Sequence, residues 1–594
     1  MSQTTSYAYT ADGDLTSIEE PLNKVTTFTN DAIGRRISAT DSEGYTVLAE
    51  YDNFDRPTKV TYPDGTNDIL EYNLLDLVAT TDRNGRRATF QFDASQRLTQ
   101  VTDPKGGLTL LGYGASNNPT SLTDPGGRVT SFGYDVQSRP VLKQYAGGAS
   151  ESYTYMLCCG LPRTVTDALG HSKTMSYNLD NTLKGVTYSG STPGVTYNYD
   201  TVLPRVVSMT DGTGQTTMTY GAFGSPGANQ VASISGPYGD SATFTYDVAG
   251  RPQSQTVNGS AENVTYDDLW RPTSSTNALD TFNMTYLGKT GQVTGVNSTA
   301  GPSMAYTYGT NAQDRRLTQI KNLGRAGDAL SQFDYQYDAV GQITKLTETV
   351  GAGNTTGGGG GDPCHDKCCH KGKCCKKNKC CKKKCCKGKG DCGKSHCNKR
   401  HNDEDDDDDR YGLAAPFDLR LLNGLLGVGI ASLWGGLLWQ FARRPRTTTS
   451  RLAQVTSAAL ISALALNGCI FSGGGATTAT TNVYDFTYDR LGQLIGVDLN
   501  QTAQERYVFD DSGNLTSLTV GNTTTSFAAN SLNQQTAPGT HVYDAKGQKT
   551  TLDGKTFEWD DQGRVTAIVQ GTTRSEFAYD GMSRRTKITE LSNG

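Results

Sequence analysis

Histidine, tryptophan and, outside one short stretch, cysteine are scarce in this chain. It has 6 His and 4 Trp in 594 residues, and 11 of its 14 Cys fall between Cys364 and Cys397. The body therefore does not depend on disulfides. Only His171 and His541 lie outside the central part, with no nucleophile motif beside either, so conventional acid–base catalysis has little to work with. Charged residues make up 19%, below the usual roughly 25%. The net charge of -5 is an average over unlike parts: residues 351–481 hold 20 Lys+Arg against 11 Asp+Glu, a net of +9, which leaves -14 on the remainder. Most of the molecule would repel nucleic acid. The opening MSQTTSYAYTADGDLTS has neither a charged start nor an apolar core, so no N-terminal signal peptide is read there.

What is abundant is Gly (68) and Tyr (30), together with Thr, Ser and Asn. That composition favours short strands and turns over long helices. An aromatic followed by Asp, two free positions, Gly, and then Arg, Gln or Asn recurs at Tyr246-Asp247 with Gly250, Tyr337-Asp338 with Gly341, and Tyr488-Asp489 with Gly492. Further copies are Phe509-Asp510 with Gly513, Tyr543-Asp544 with Gly547, and Trp559-Asp560 with Gly563. Weaker copies start at Tyr51, Tyr72, Phe92, Tyr113, Tyr134, Tyr155, Tyr177, Tyr199 and Tyr220, at steps of 20 to 22 residues. Each unit reads as a β-hairpin with one aromatic and one polar face, its Asp bonding turn amides and its Gly supplying a positive φ. One hairpin cannot bury its aromatic face, so the units must continue into a sheet. Asp55, Ser138, Trp270 and Ser583 stand where Gly is expected, and those turns are expected to be of another type, because bulky residues resist positive φ.

This ladder resembles the Rhs/YD-repeat family, which includes bacterial Rhs and wall-associated proteins, shell subunits of insecticidal toxin complexes, and animal teneurins. The resemblance implies an all-β fold of antiparallel hairpin repeats wound as a spiral shell able to enclose a toxin polypeptide. It covers residues 1–350 and 482–594, expected to form one continuous antiparallel spiral. It does not supply the self-cleaving core of such proteins: Asp103-Pro104 and Asp124-Pro125 lie in ordinary connections between hairpins, and the chain ends inside repeat-like sequence, which reads as a fragment.

Between the two repeat regions the expected order begins with a Gly-rich linker (351–361) and a Cys/Lys-rich tract with an acidic run (362–410). An apolar helix (411–442), a basic loop (443–451), a second apolar helix (452–471) and a linker (472–481) follow. The tract carries Cys364, His365, Cys368, Cys369, His370, Cys374, Cys375, Cys380, Cys381, Cys385, Cys386, Cys392, His396 and Cys397. Thiolates this dense suit zinc or copper(I), while an unstructured low-complexity tract and a disulfide-knotted plug are the competing readings. Gly388, Gly393, Lys394 and Ser395 fit a nucleotide-binding pattern by spacing but lack the strand and helix that a phosphate cradle needs.

Leu421 to Ala442 is uncharged and long enough to span a bilayer, and Arg443, Arg444 and Arg446 follow it. The stretch Leu452 to Phe471 ends in Leu466-Asn467-Gly468-Cys469, which resembles a lipoprotein processing site with Cys469 as the lipidated residue. A membrane hairpin, a pair of helices packed on the repeats and a gene-model fusion are all open. Cys158-Cys159 falls on a hairpin turn, where idle thiols are expected. The sequence thus points to a non-enzymatic cell-envelope or extracellular protein, a structural or adhesive shell. Its alternatives are a toxin-delivery shell around a polypeptide cargo and a module binding a surface glycan.

Overall fold

A computed structural model describes residues 4–351 and 479–592. The described chain is all-β and antiparallel, its only helical segments two single 3₁₀ turns, Pro21–Asn23 and Asn311–Gln313. One sheet of 37 strands runs from Ser6–Tyr9 to Thr523–Ser526, each strand paired with the next in sequence. Thr480–Tyr488 pairs with Ile343–Val350, out to Thr480 beside Val350, so the chain leaves the sheet at 351 and re-enters on the adjoining strand. The second repeat region therefore starts at Thr480, slightly ahead of the expected boundary at 482.

The expectation of one continuous sheet is corrected near residue 527. Ala528–Ala529 pairs only with Gln535–Ala537, and a separate six-stranded sheet spans His541–Tyr543 to Arg585–Ser592. The repeat here has Ala529 in place of the aromatic, and Pro538 has no N–H to give a ladder, so pairing does not carry across.

Along many strands exposure alternates. In Ser150–Tyr155 the residues Tyr153 and Tyr155 are half-buried while Ser152 and Thr154 face solvent. The solvent face is laced by hydroxyl pairs such as Thr245 with Ser254 (2.6 Å) and Thr265 with Ser274 (2.7 Å). Few side chains are buried outright, among them Val60, Met209 and Leu70. The aromatic face is covered chiefly by neighbouring repeats, as expected of a quasi-one-dimensional array.

The coupling between neighbours is specific. The repeat tyrosine donates its phenolic hydrogen to a backbone carbonyl of the preceding hairpin: Tyr113 to Leu98 (2.8 Å), Tyr246 to Val231 (2.7 Å), Tyr337 to Leu317 (2.6 Å) and Tyr488 to Ile343 (2.8 Å). Trp559 makes the same latch through Nε1–H to Lys549 O (2.8 Å), which explains how Trp replaces Tyr there. Tyr246→Phe keeps the ring and deletes the latch. Its expected cost is about 1 kcal/mol, read as a shift in the urea midpoint.

Candidate functional site

The recurrent chemistry of the chain sits at its aspartate turns. At Asp247 the backbone N–H bonds Arg251 O and the N–H of Gly250 bonds back to Asp247 O (both 2.9 Å). Oδ1 of Asp247 accepts the amides of Ala249 (2.9 Å) and Arg251 (3.0 Å). The strand ladder slips by one residue between Thr245 and Tyr246, as it does before Tyr337, Tyr488 and Trp559. Together these make a hairpin loop closed by a left-handed residue with its bulge, and Gly250 fills that position at φ 76°. Asp338, Asp489 and Asp560 cap their turns in the same way, with Gly341, Gly492 and Gly563 left-handed.

The expected change of turn type at the four non-glycine sites is corrected. Asp55, Ser138, Trp270 and Ser583 all adopt φ of 61–66°, and the Trp270 turn keeps the same bonds, Asp267 N–H to Arg271 O (3.0 Å) and Trp270 N–H to Asp267 O (3.1 Å). The flanking ladder and the aspartate cap together outweigh a left-handed cost of about 1–2 kcal/mol. Ser138→Gly should recover roughly 1 kcal/mol, seen as a higher thermal midpoint.

The residue after the glycine does more than end the loop. Arg251 pairs through Nε with Asp247 Oδ2 (2.6 Å), sends Nη1 to Asp267 O of the next aspartate turn (2.8 Å), and lies over the Tyr266 ring at 4.8 Å. Arg564 repeats this with Asp560, Asp580 O and Tyr579. Gln342 reaches Gly492 O (2.7 Å) from the same position. Turns that carry this residue are thus tied to the next along one edge of the sheet.

That edge also meets distant sequence. The opposite ends of the early hairpins, such as Asp82 to Arg86 and Asp103 to Gly107, fold into the same aspartate-capped loop. These loops lie against aspartate turns of the later repeats. Asn84 donates to Asp338 Oδ2 (2.8 Å), Lys105 approaches Asp489 (3.4 Å), Lys546 pairs with Asp167 (3.0 Å), and the Gly581 amide bonds Asp211 (2.5 Å). A gap of about 630 Å³ between Arg86, Lys105, Gln342 and Asp489 lies on the same line. The partners are about twelve repeats apart once the segment from 352 to 478 is left out, so the array returns on itself and closes a seam.

The strongest part of the seam is built on Arg83. Its Nη2 reaches Asp64 Oδ2 (2.6 Å) and Asp314 Oδ2 (2.5 Å), and its guanidinium covers the Tyr62 ring at 4.1 Å. Tyr45 donates to Asp314 (2.9 Å), Arg316 also holds Asp314 (2.6 Å), and Arg315 reaches Asp41 (2.6 Å). Burial works against the charge on Arg83, but the hydrogen bonds and charges of Asp314 and Asp64 outweigh it and raise its pKa. Burial first, then Asp314, pushes the Tyr45 phenol well above its ordinary range, and burial with Asp68 does the same to Tyr62. Nothing local in the sequence marks these residues; Thr-Asp-x-x-Gly at Asp82 is the one signal that could have placed Arg83 in a turn.

The first repeats leave their own aspartate turns free. Ile33, Phe54, Val136 and Val248 stand exposed at these tips, and Leu74 and Leu179 at the equivalent turns headed by Asn73 and Asn178. The equivalent Leu532, in the later repeats, instead lies against Gly147, where a Cβ would meet it at 3.4 Å.

His171 Nδ1 contacts Asp561 (3.0 Å) on the seam, and His541 Nε2 contacts Pro538 O (2.7 Å). Cys158 and Cys159 are exposed on their turn. The cysteines and histidines from Cys364 to Cys397, the apolar stretches 421–442 and 452–471, and Cys469 lie outside the described residues. Among the described residues no helix is long and apolar enough to cross a membrane.

Residues 474–590 match the family model of the teneurin YD-shell, and residues 31–66, 72–108 and 113–150 match that of the RHS repeat. The chain carries Rhs/YD repeats. Its fold is similar to a crystal structure of TcdB2-TccC3-Cdc42, with TM-score 0.65 and 14% identity over 99% of this chain and 29% of that one. A crystal structure of TcdB2-TccC3-TEV gives 0.63 and 14% over 98% and 29%. A structure of the Photorhabdus luminescens Tc holotoxin pore gives 0.51 and 14% over 100% and 29%. At this identity the likeness is one of fold, and the chain spans less than a third of the length of these proteins. No curated protein matches it. The YD aspartates of this chain are thus turn caps of a shell-type fold, and its arginines are the ties between them.

Proposed function

We propose that the chain is a length of wall in a Rhs/YD shell that encloses a polypeptide cargo, outside the cell or at its envelope. The observation that carries this reading is the seam: loops of the early repeats dock on aspartate turns of the later ones, so successive passes of the sheet join edge to edge. The free aspartate turns, with their apolar tips, offer the same edge to a further pass, in keeping with neighbours more than three times as long. Those neighbours are toxin-complex assemblies, which favours a cargo over a purely adhesive role. A glycan platform is disfavoured, because repeat tyrosines such as Tyr266 and Tyr286 are half-buried under arginines. The repeat aspartates serve as turn caps, which favours a structural over a catalytic role.

The segment from 352 to 478 leaves and re-enters on adjoining strands, so we propose it as a passenger of this wall. Zinc or copper(I) binding at its cysteines is a separate proposal, to be read by native mass spectrometry of the reduced full chain. Electron cryo-microscopy of the full chain tests the shell. It should show a wall one sheet thick around an enclosed space, and two sheets packed face to face would overturn the reading.

A further inference from the structure

The turn after Tyr155 breaks the repeat rule in three ways at once. Met156 stands where the capping Asp belongs, Leu161 where the tying Arg belongs, and the loop is one residue longer, closed by Met156 N–H to Leu161 O (2.8 Å) and Gly160 N–H to Met156 O (3.0 Å). In place of the carboxylate that staples turns such as those of Asp135 and Asp247, it carries two thiols on consecutive residues. Sγ of Cys158 and Sγ of Cys159 lie 3.0 Å apart, and both residues are exposed at the tip. The pair sits on the hairpin between strands Ser150–Tyr155 and Pro162–Thr166, which pair with each other.

From this geometry we propose that Cys158 and Cys159 form a reversible vicinal disulfide, a redox-sensitive staple on this turn. Both sulfur–hydrogen bonds break and one sulfur–sulfur bond forms. The two electrons and two protons pass to a small-molecule disulfide such as oxidised glutathione, whose own sulfur–sulfur bond breaks to give two thiols. The first exchange puts a glutathionyl group on one cysteine, and the neighbouring thiol, already in contact, displaces it. Proximity drives the second step, so neither thiol has to be acidic. Consecutive Cα atoms are about 3.8 Å apart, closer than most disulfides span, so the bond is a labile one that a mild dithiol reopens. The reduced turn lacks the side-chain staple of its neighbours, and the oxidised turn has a covalent one. The site lies on the free row of aspartate-type turns, but the inference stands on the thiol pair alone and does not need the shell reading.

The test uses the full chain, incubated with oxidised glutathione, blocked with iodoacetamide, digested with trypsin and read by mass spectrometry. The peptide Gln144 to Arg163 holds these two cysteines and no other. The expected result is a peptide two hydrogens lighter than the reduced form, free of alkyl groups and restored by dithiothreitol. Cys158→Ser should instead leave a glutathionyl group on Cys159. Two alkyl groups, glutathione on both residues, or a cross-link to a cysteine of the 352–478 segment would each overturn the proposal.

Discussion

Arg83→Met should cost about 3–5 kcal/mol, the typical penalty for leaving a buried carboxylate without its partner. Arg83 and Asp314 keep 11% and 9% of their side-chain surface exposed, so water replaces little of what is lost. Two carboxylates would then face each other across the vacated site, with Asp314 held only by Tyr45 and Arg316. Arg83→Lys should fall between, since an ammonium restores charge but cannot fork to both acids. The loss should be local, because a repeat array couples nearest neighbours. Hydrogen exchange should therefore quicken in Asn67–Asn73 and Leu317–Leu323 before the distant hairpins respond. Arg87→Ala, which breaks a half-exposed pair with Glu71, sets the scale: less than about 1 kcal/mol. Equal effects of the two variants would remove the seam from the account.

The hairpins were legible in the sequence because everything that makes them is local. The 21-residue spacing, the aromatic before the aspartate and the glycine three residues later are all visible within one turn. The arginine after the glycine was visible as a letter but not as a function, since its targets, the next turn's carbonyl and the next tyrosine, are one repeat away. Arg83 and Asp314 were invisible for the same reason carried further: |i−j| is 231, and no pattern connects them. Trp270 shows the opposite error, in which an intrinsic backbone preference is given too much weight. Residue propensity argued against positive φ there, and the cap, the bulge and the tie to Gly288 O imposed it. The break near 527 did leave traces, the missing aromatic at Ala529 and the proline at 538, which periodicity alone passes over.

Lowering the pH should unfold the repeat sheet below about 4, and the turn aspartates set that limit. The Arg56 guanidinium, bonded at 2.6 and 2.8 Å, together with the amides of Arg56 and Phe54, holds Asp52 below the ordinary aspartate value of 3.8. Arg97, by side chain and amide, does the same for Asp93, the Arg139 amide and side chain for Asp135, and the Val202 amide with Arg205 for Asp200. A carboxyl depressed in the folded state stabilises it at any pH above 3.8, and that contribution drains away as pH falls through the folded value. All four lie on turns that tie one repeat to the next, so their losses accumulate along the array. Asp68 runs the other way: burial, only partly offset by the Tyr62 hydroxyl at 2.8 Å, raises its pKa, so it costs stability when charged and that cost disappears on acidification. One such residue cannot balance a row of depressed ones. The β-sheet circular dichroism signal should hold from pH 7 to 5 and collapse between about 4 and 2, with the thermal midpoint falling ahead of it. Asp68→Asn should raise the midpoint at pH 7 and leave the acid limb in place, which separates the buried acid from the turn caps. A thermal midpoint that stays level down to pH 3 would show that the turn carboxylates are not what holds the repeats together.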